Sequence, residues 1–173
     1  VITVNGPKAD GIYNSIGDKN ITIVHGSIFV NGNGVADDYA EGITNYGDDN
    51  ETTLSGSITT TGNYAMGIAN YGNNNKVTIS GTVKSTGAKS GALYNYSGSG
   101  NSFTLNEGAT IIGDILAVDE IGTAYDATNS KLIFNLGAST SYAYSVSGKG
   151  EGTGGGQWIF SDLDRSSQVV TTT

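Results

Sequence analysis

Six carboxylates fall within fifteen residues of this chain, at Asp37, Asp38, Glu41, Asp48, Asp49 and Glu51, and no lysine or arginine lies among them. Two kinds of chemistry use such a group. A hard divalent cation is held by several oxygen ligands, and a pair of carboxyl groups flanking a sugar bond can act as acid and base. A run of acids is equally what a solvated turn looks like, and nothing in this spacing sets two carboxyls at a defined separation. Calcium-wrapping β-rolls repeat a G-G-x-G-x-D nonapeptide, whereas Gly-Asp pairs occur here singly, at Gly17-Asp18, Gly47-Asp48 and Gly113-Asp114. His25 is the single histidine and there is no cysteine, so neither a spaced ligand set nor a His-activated nucleophile is marked. His25 reads as a polar strand or turn residue. No catalytic residue, metal site or cofactor site is assigned.

The tyrosines are the stronger candidates for contact with a partner. Tyr46, Tyr71 and Tyr96 recur every twenty-five residues, and Tyr39 and Tyr64 form a second pair at the same spacing. If either set faces outward, it makes a stripe of rings that stacks on sugar rings or on another protein. The competing reading packs them in or beside turns, hydroxyls solvated, as ladders that stabilise the fold by themselves, and that is the reading the pattern favours. These five residues are the candidate ligand-binding set.

What must position them is a repeat. Gly42-Ile43-Thr44-Asn45-Tyr46-Gly47 returns twenty-five residues later as Gly67-Ile68-Ala69-Asn70-Tyr71-Gly72, and again as Ala92-Leu93-Tyr94-Asn95-Tyr96. An earlier copy, Gly11-Ile12-Tyr13-Asn14, stands thirty-one residues before the first, with six extra residues in the stretch 31–38. Each unit holds three short β-favouring runs separated by Gly, Asn and Ser, for example Gly67 to Asn70, Lys76 to Ser80 and Thr82 to Ser85. Three faces per turn with one or two inward aliphatics each describe an all-β, right-handed parallel β-helix of about 25 residues per coil. A coil buries its apolar residues only against its neighbours. Ile12, Ile43, Ile68 and Leu93 then form one inward column, and Ile28, Ile58, Val83 and Ile111 another. Asn14, Asn45, Asn70 and Asn95 form an amide ladder. Val77 and Ile79 align with Phe103 and Leu105 and, allowing one extra residue, with Ile21 and Ile23. A leucine-rich repeat has a similar period but needs L-x-x-L-x-L, which the seven leucines never make.

Composition agrees. Among 173 residues, 27 are glycine and the apolar share is 36%, which suits a thin core with many turns rather than a compact globule. A net charge of −8 repels phosphate backbones, so no nucleic-acid partner is expected. No run of eighteen apolar residues offers a transmembrane helix. The ends, Val1-Ile2-Thr3-Val4 and Thr171-Thr172-Thr173, read as cut from something longer. After Gly113 the pattern loosens: Asp114 to Asp119 and Lys131 to Leu136 read as strands. Then Ser141 to Val146 and Gln157 to Phe160 read as two strands paired across a Gly-rich turn, Gly148 to Gly156, a β-hairpin-like cap with Trp158 and Phe160 able to close the helix end. The expected organisation is repeats over 1–137 and a capping segment over 138–173.

The G-I-x-N-Y-G unit, its polar turn, V-T-I-S-G-T-V and S-T-G-A resemble the passenger domain of autotransporters, the type V secreted proteins of Gram-negative bacteria. The stretch from Ala138, with S-Y-A-Y-S-V-S-G-K-G and G-G-G-Q-W-I-F-S-D-L-D-R, is similar to the autochaperone-like segment upstream of their translocator barrel. The resemblance implies an exported, surface-displayed β-helix that mediates adhesion or self-association. Its implied partners are a host surface protein or glycan, or another copy of the chain, with membrane contact only through a barrel absent from this sequence. The G-D-S-G-S motif of the protease subclass is missing. The alternative is a carbohydrate-active β-helix enzyme using the acidic turn cluster. Polysaccharide-cleaving β-helices set Arg or Lys beside their acids, and the single arginine here is Arg165.

Overall fold

The computed structural model describes residues 1–15, 17–36, 38–116 and 130–135 in full, and the backbone of 141–144, 146–147, 158–162 and 169–172. The described residues form strands and no helix. None is therefore part of a helix long and apolar enough to cross a membrane. The first coil holds β1 (Ile2–Asn5), β2 (Ile12–Asn14) and β3 (Ile21–Val24). The second holds β4 (Ser27–Asn31), β5 (Ala40–Asn45) and β6 (Glu51–Leu54), and the third β7 (Ser57–Thr61), β8 (Ala65–Asn70) and β9 (Lys76–Ile79). Next come β10 (Thr82–Thr86), β11 (Gly91–Asn95), β12 (Ser102–Asn106), β13 (Thr110–Ile112), β14 (Asp114–Leu116) and β15 (Ser130–Asn135). Last are β16 (Ser141–Tyr144), β17 (Val146–Ser147), β18 (Trp158–Asp162) and β19 (Val169–Thr172).

Every third strand stacks on its equivalent. The first sheet runs β1-β4-β7-β10-β13, the second β17-β14-β11-β8-β5-β2, and the third β18-β15-β12-β9-β6-β3. All these pairings are parallel, giving a β-solenoid of about five turns and about 26 residues per turn.

The two expected aliphatic columns are in register. Ile12, Ile43, Ile68 and Leu93 stack in the second sheet, and Ile28, Ile58, Val83 and Ile111 in the first. The asparagine ladder forms too: Asn14 Nδ2 donates to Asn45 Oδ1 at 2.8 Å and Asn45 Nδ2 to Asn70 Oδ1 at 2.9 Å. Asn70 and Asn95 keep the backbone register without that side-chain link.

A second amide ladder lies at the next corner. The backbone N–H groups of Asn20, Asn50 and Asn75 donate to the side-chain oxygens of Asn50, Asn75 and Asn101 at 2.8–3.0 Å. Between these ladders the chain turns through left-handed residues, Lys19, Asp49 and Asn74, at φ 67°, 56° and 55°, a conformation asparagine and aspartate adopt more readily than most.

Two expectations are corrected. In the third sheet Val24, Leu54 and Ile79 stack, as do Thr22, Thr52 and Val77. Ile21 and Ile23 therefore point outward, 72% and 59% exposed. Period-two alternation fixes the faces only once the register is known, and a one-residue slip inverts them. The register here is set by the Asn20–Asn50–Asn75 corner. The hairpin-like cap is the second correction: β17 pairs parallel with β14, β18 parallel with β15, and β16 parallel with β19. The alternating residues of Trp158–Asp162 suit another stacked coil as well as a hairpin, and the intervening stretch is long enough to go round rather than turn back. The side chains of Trp158 and Phe160, the Gly-rich turn and the 137/138 boundary lie outside the described residues.

The extra residues after β4 form a loop in which Val35 and Asp38 exchange backbone hydrogen bonds at 2.9 and 3.1 Å. Tyr39 then re-enters the stack, with the backbone of Ala40 donating to Tyr64 O at 3.1 Å.

Candidate functional site

The second sheet is buried on both faces through β5, β8 and β11, unlike the other two, whose strands alternate buried and more exposed positions. Its inner face carries the aliphatic column. Its outer face carries Tyr13, Thr44, Ala69 and Tyr94 in one stacked row and Glu41 and Met66 in another. Tyrosines from both strand ends cover that face. Tyr39 and Tyr64 precede the strands, and Tyr46, Tyr71 and Tyr96 follow them.

Backbone bonds hold the following set at the coil step: Tyr46 N donates to Asn14 O, Tyr71 N to Asn45 O and Tyr96 N to Asn70 O at 2.9–3.0 Å. Ring centroids are consequently 6.2 Å apart for Tyr13 and Tyr46, 5.5 Å for Tyr46 and Tyr71, and 4.9 Å for Tyr71 and Tyr96. Tyr94 ties the two sets together. Its ring is 5.2 Å from Tyr39, edge to face, and 5.6 Å from Tyr96, while Tyr39 lies 6.4 Å from Tyr64. The hydroxyl of Tyr94 donates to that of Tyr39 at 3.3 Å. Tyr39, Met66, Ala69 and Tyr94 form a second apolar core, with Tyr64, Tyr71, Tyr96 and Leu116 packed against it.

The five sequence-singled tyrosines thus converge on one sheet face, but not as a uniform stripe. Tyr39 is buried, Tyr64, Tyr71 and Tyr96 are half-buried, and Tyr46 is 55% exposed. Tyr46 and Tyr71 stack at 28°, so along most of the ladder ring faces cover one another and edges point out. Tyr13, at 52% exposure, is the end rung. Sequence reasoning passed over Tyr13 and Tyr94. The signal was available: both occupy the slot that holds Thr44 and Ala69 in the coils between, and those small residues leave room for a large ring beside them.

The acidic cluster does not survive as a unit. Glu41 is buried on the tyrosine-covered face, where its carboxyl accepts hydrogen bonds from Thr44 Oγ1 and the Tyr71 hydroxyl. Burial raises its pKa to about 8; the two hydroxyl donors oppose this, and Asp10 and Asp38 add to it. The Tyr71 hydroxyl is in turn pushed upward by burial and by Glu41. Asp10 lies on the same side of the sheet, its Oδ1 accepting from Glu41 N at 3.2 Å, and burial raises its pKa as well.

Other members find the basic partners that the local sequence lacks in neighbouring coils. Asp38 pairs with Lys8 at 2.5 Å and Glu51 with Lys76 at 3.3 Å. Asp49, Glu51 and Lys76 line a shallow, open groove of about 520 Å³ with Lys19, Ile21 and Asn74. Asp48 serves the turn, its Oδ1 accepting from Asn73 N at 2.6 Å. Asp37 lies outside the described residues. Among the described residues no three His, Cys, Asp or Glu side chains are grouped to hold a metal ion. His25 is an exposed turn residue whose Nδ1 is 2.7 Å from Ser55 Oγ.

On the far edge of the patch, Lys89 Nζ lies 5.0 Å from the centroid of the Tyr64 ring and donates to its hydroxyl at 2.8 Å. This is a cation–π contact built into the molecule. Comparison with family models, with curated proteins and with solved structures finds no match for this chain.

Proposed function

We propose that this chain is part of an exported, surface-displayed β-solenoid scaffold, in the manner of an autotransporter passenger, that mediates adhesion or self-association without catalysis. The observation that carries this reading is the tyrosine-covered face of the second sheet, held at the coil spacing by backbone bonds and half-exposed at Tyr13 and Tyr46. A rigid repeat displaying such a face suits many weak contacts whose strengths combine when copies are held on a surface. In this reading the chain is carried through the outer membrane of a Gram-negative bacterium by a barrel outside this sequence. Its partner is a host surface protein or glycan, or a second copy, and not nucleic acid.

A glycan-cleaving enzyme built on the acidic cluster draws less support. Glu41 is sealed under tyrosines, and Asp38 and Glu51 are ion-paired. Displaying the chain on cells that otherwise neither clump nor attach tests the proposal. The expected result is gained clumping, or attachment to immobilised host protein or glycan, reduced by a Tyr13→Ser/Tyr46→Ser variant. Cells that remain dispersed and unattached, or cleavage of a glycan by the purified chain, would overturn it.

A further inference from the structure

We propose that the Tyr13–Tyr46 end of the aromatic face docks cationic side chains, lysine or arginine, on the surface of a basic protein partner. This rests on the adhesion reading above and specifies its partner. Three observations carry it.

The first is the form of the exposed end. Tyr13 is the terminal rung, 52% exposed, with Tyr46 beside it at 6.2 Å and a 41° tilt. Further along, the rings use their faces on each other. A sugar chain needs several ring faces in succession, whereas one face with carboxyl groups nearby suits one cation at a time.

The second is charge. Residues 8–51 carry eight of the sixteen acidic residues and only two of the eight lysines and arginines, and one of those two, Lys8, is already paired with Asp38. Asp10 adjoins Tyr13, and the Asp18–Asp48 turn follows Tyr46, with Asp48 N donating to Asp18 Oδ1 at 3.2 Å. The Tyr13 hydroxyl registers this field: its pKa is raised by burial and then by Tyr46, Asp10 and Glu41. Such a surface repels sulfated or phosphorylated polymers and favours a basic partner.

The third is that the molecule already makes this contact. Lys89 sits on the ring and hydroxyl of Tyr64 at the opposite border of the same face.

The test is calorimetric titration of the purified chain with an arginine- and lysine-rich peptide, alongside a panel of neutral oligosaccharides. Replacing both rings, Tyr13→Leu/Tyr46→Leu, keeps apolar bulk but removes the π faces, and should weaken peptide binding roughly tenfold. Tyr13→Phe keeps the ring and should retain binding. Glu107→Gln removes a remote charge and should weaken binding far less than the double variant; circular dichroism confirms that all variants fold. Equal losses for the double variant and Glu107→Gln would mean undirected charge attraction and overturn the proposal. Oligosaccharide binding that depends on Tyr13 and Tyr46, with peptide binding unchanged, would overturn the cationic assignment and leave the adhesion reading intact. Failure of the displayed chain to adhere to anything would overturn both.

Discussion

Glu41 has its carboxyl group enclosed by Tyr71, Thr44 and the sheet, and there the cost of burying a charge outweighs two hydroxyl donors. The consequence for stability has a definite sign. In the folded chain Glu41 holds its proton up to about pH 8, while the unfolded chain releases it near the model value of 4.5. Its contribution is therefore fully present below the lower value and lost as pH rises through the higher one. Stability falls with pH across that window, with a slope approaching about 1.4 kcal/mol per unit where the two states differ by one whole proton. Asp10, also raised, acts in the same direction. Urea unfolding at pH 5, 7 and 9 should show a declining midpoint, and Glu41→Gln should flatten the decline; an unchanged slope would place the titrating group elsewhere. The burial of Glu41 was not legible in its sequence neighbourhood, where it reads as one more acid in an acidic turn. What buries it comes from twenty-five to thirty residues away: Tyr71 is thirty positions on and Met66 twenty-five.

The repeating unit was legible because its constraint acts every coil. Gly42 and Gly67 show why the motif begins with glycine: a Cβ on either would stand 2.4 Å from the carbonyl oxygen of the next coil, that of Gly67 and of Ala92 respectively. Ala92 occupies the same position one coil later. It is tolerated because β14 skips a residue there, Gly91 pairing with Asp114 and Leu93 with Ile115. Gly67→Ala should therefore cost about 1–3 kcal/mol by overpacking, and Ala92→Gly only about 0.5–1 kcal/mol, as read from thermal melts. Inward residues follow the same logic. Ile68→Asp puts an unpaired charge into a fully buried column and should cost several kcal/mol, while the exposed Ile21→Thr should stay within about 0.5 kcal/mol. If Ile21→Thr proved as damaging as Ile68→Asp, the register of the third sheet would be wrong. That register was not legible from Ile21 and Ile23, which fit either face. It is carried by polar corners whose regularity shows only when Asn20, Asn50, Asn75 and Asn101 are aligned.

Over the whole molecule, stacking makes each coil depend on its two neighbours and on little else, so the quality of each coil-to-coil junction matters individually. Most junctions repeat one set of bonds. In the corners of the first two coils, the side-chain amide of Asn20 donates to Gly17 O and that of Asn50 to Gly47 O, each closing its own turn at 2.7–2.8 Å. The step from Asn75 to Asn101 is twenty-six residues instead of twenty-five. Asn101 Nδ2 reaches back to Gly72 O and across to Asn95 Oδ1, both at 2.9 Å. Those are the acceptors that the pattern assigns to Asn75 and Asn70, and the amide donors of these two residues are left buried without a partner. Each such donor costs about 1–3 kcal/mol. In a one-dimensional stack a junction weakened in this way divides the chain into separately opening units. Native-state hydrogen exchange in low urea should accordingly resolve two groups of amides, one through β8 and β9 and one beginning at β11 and β12, with different opening free energies. Deleting Ser97, which returns the step to twenty-five, should merge them into one.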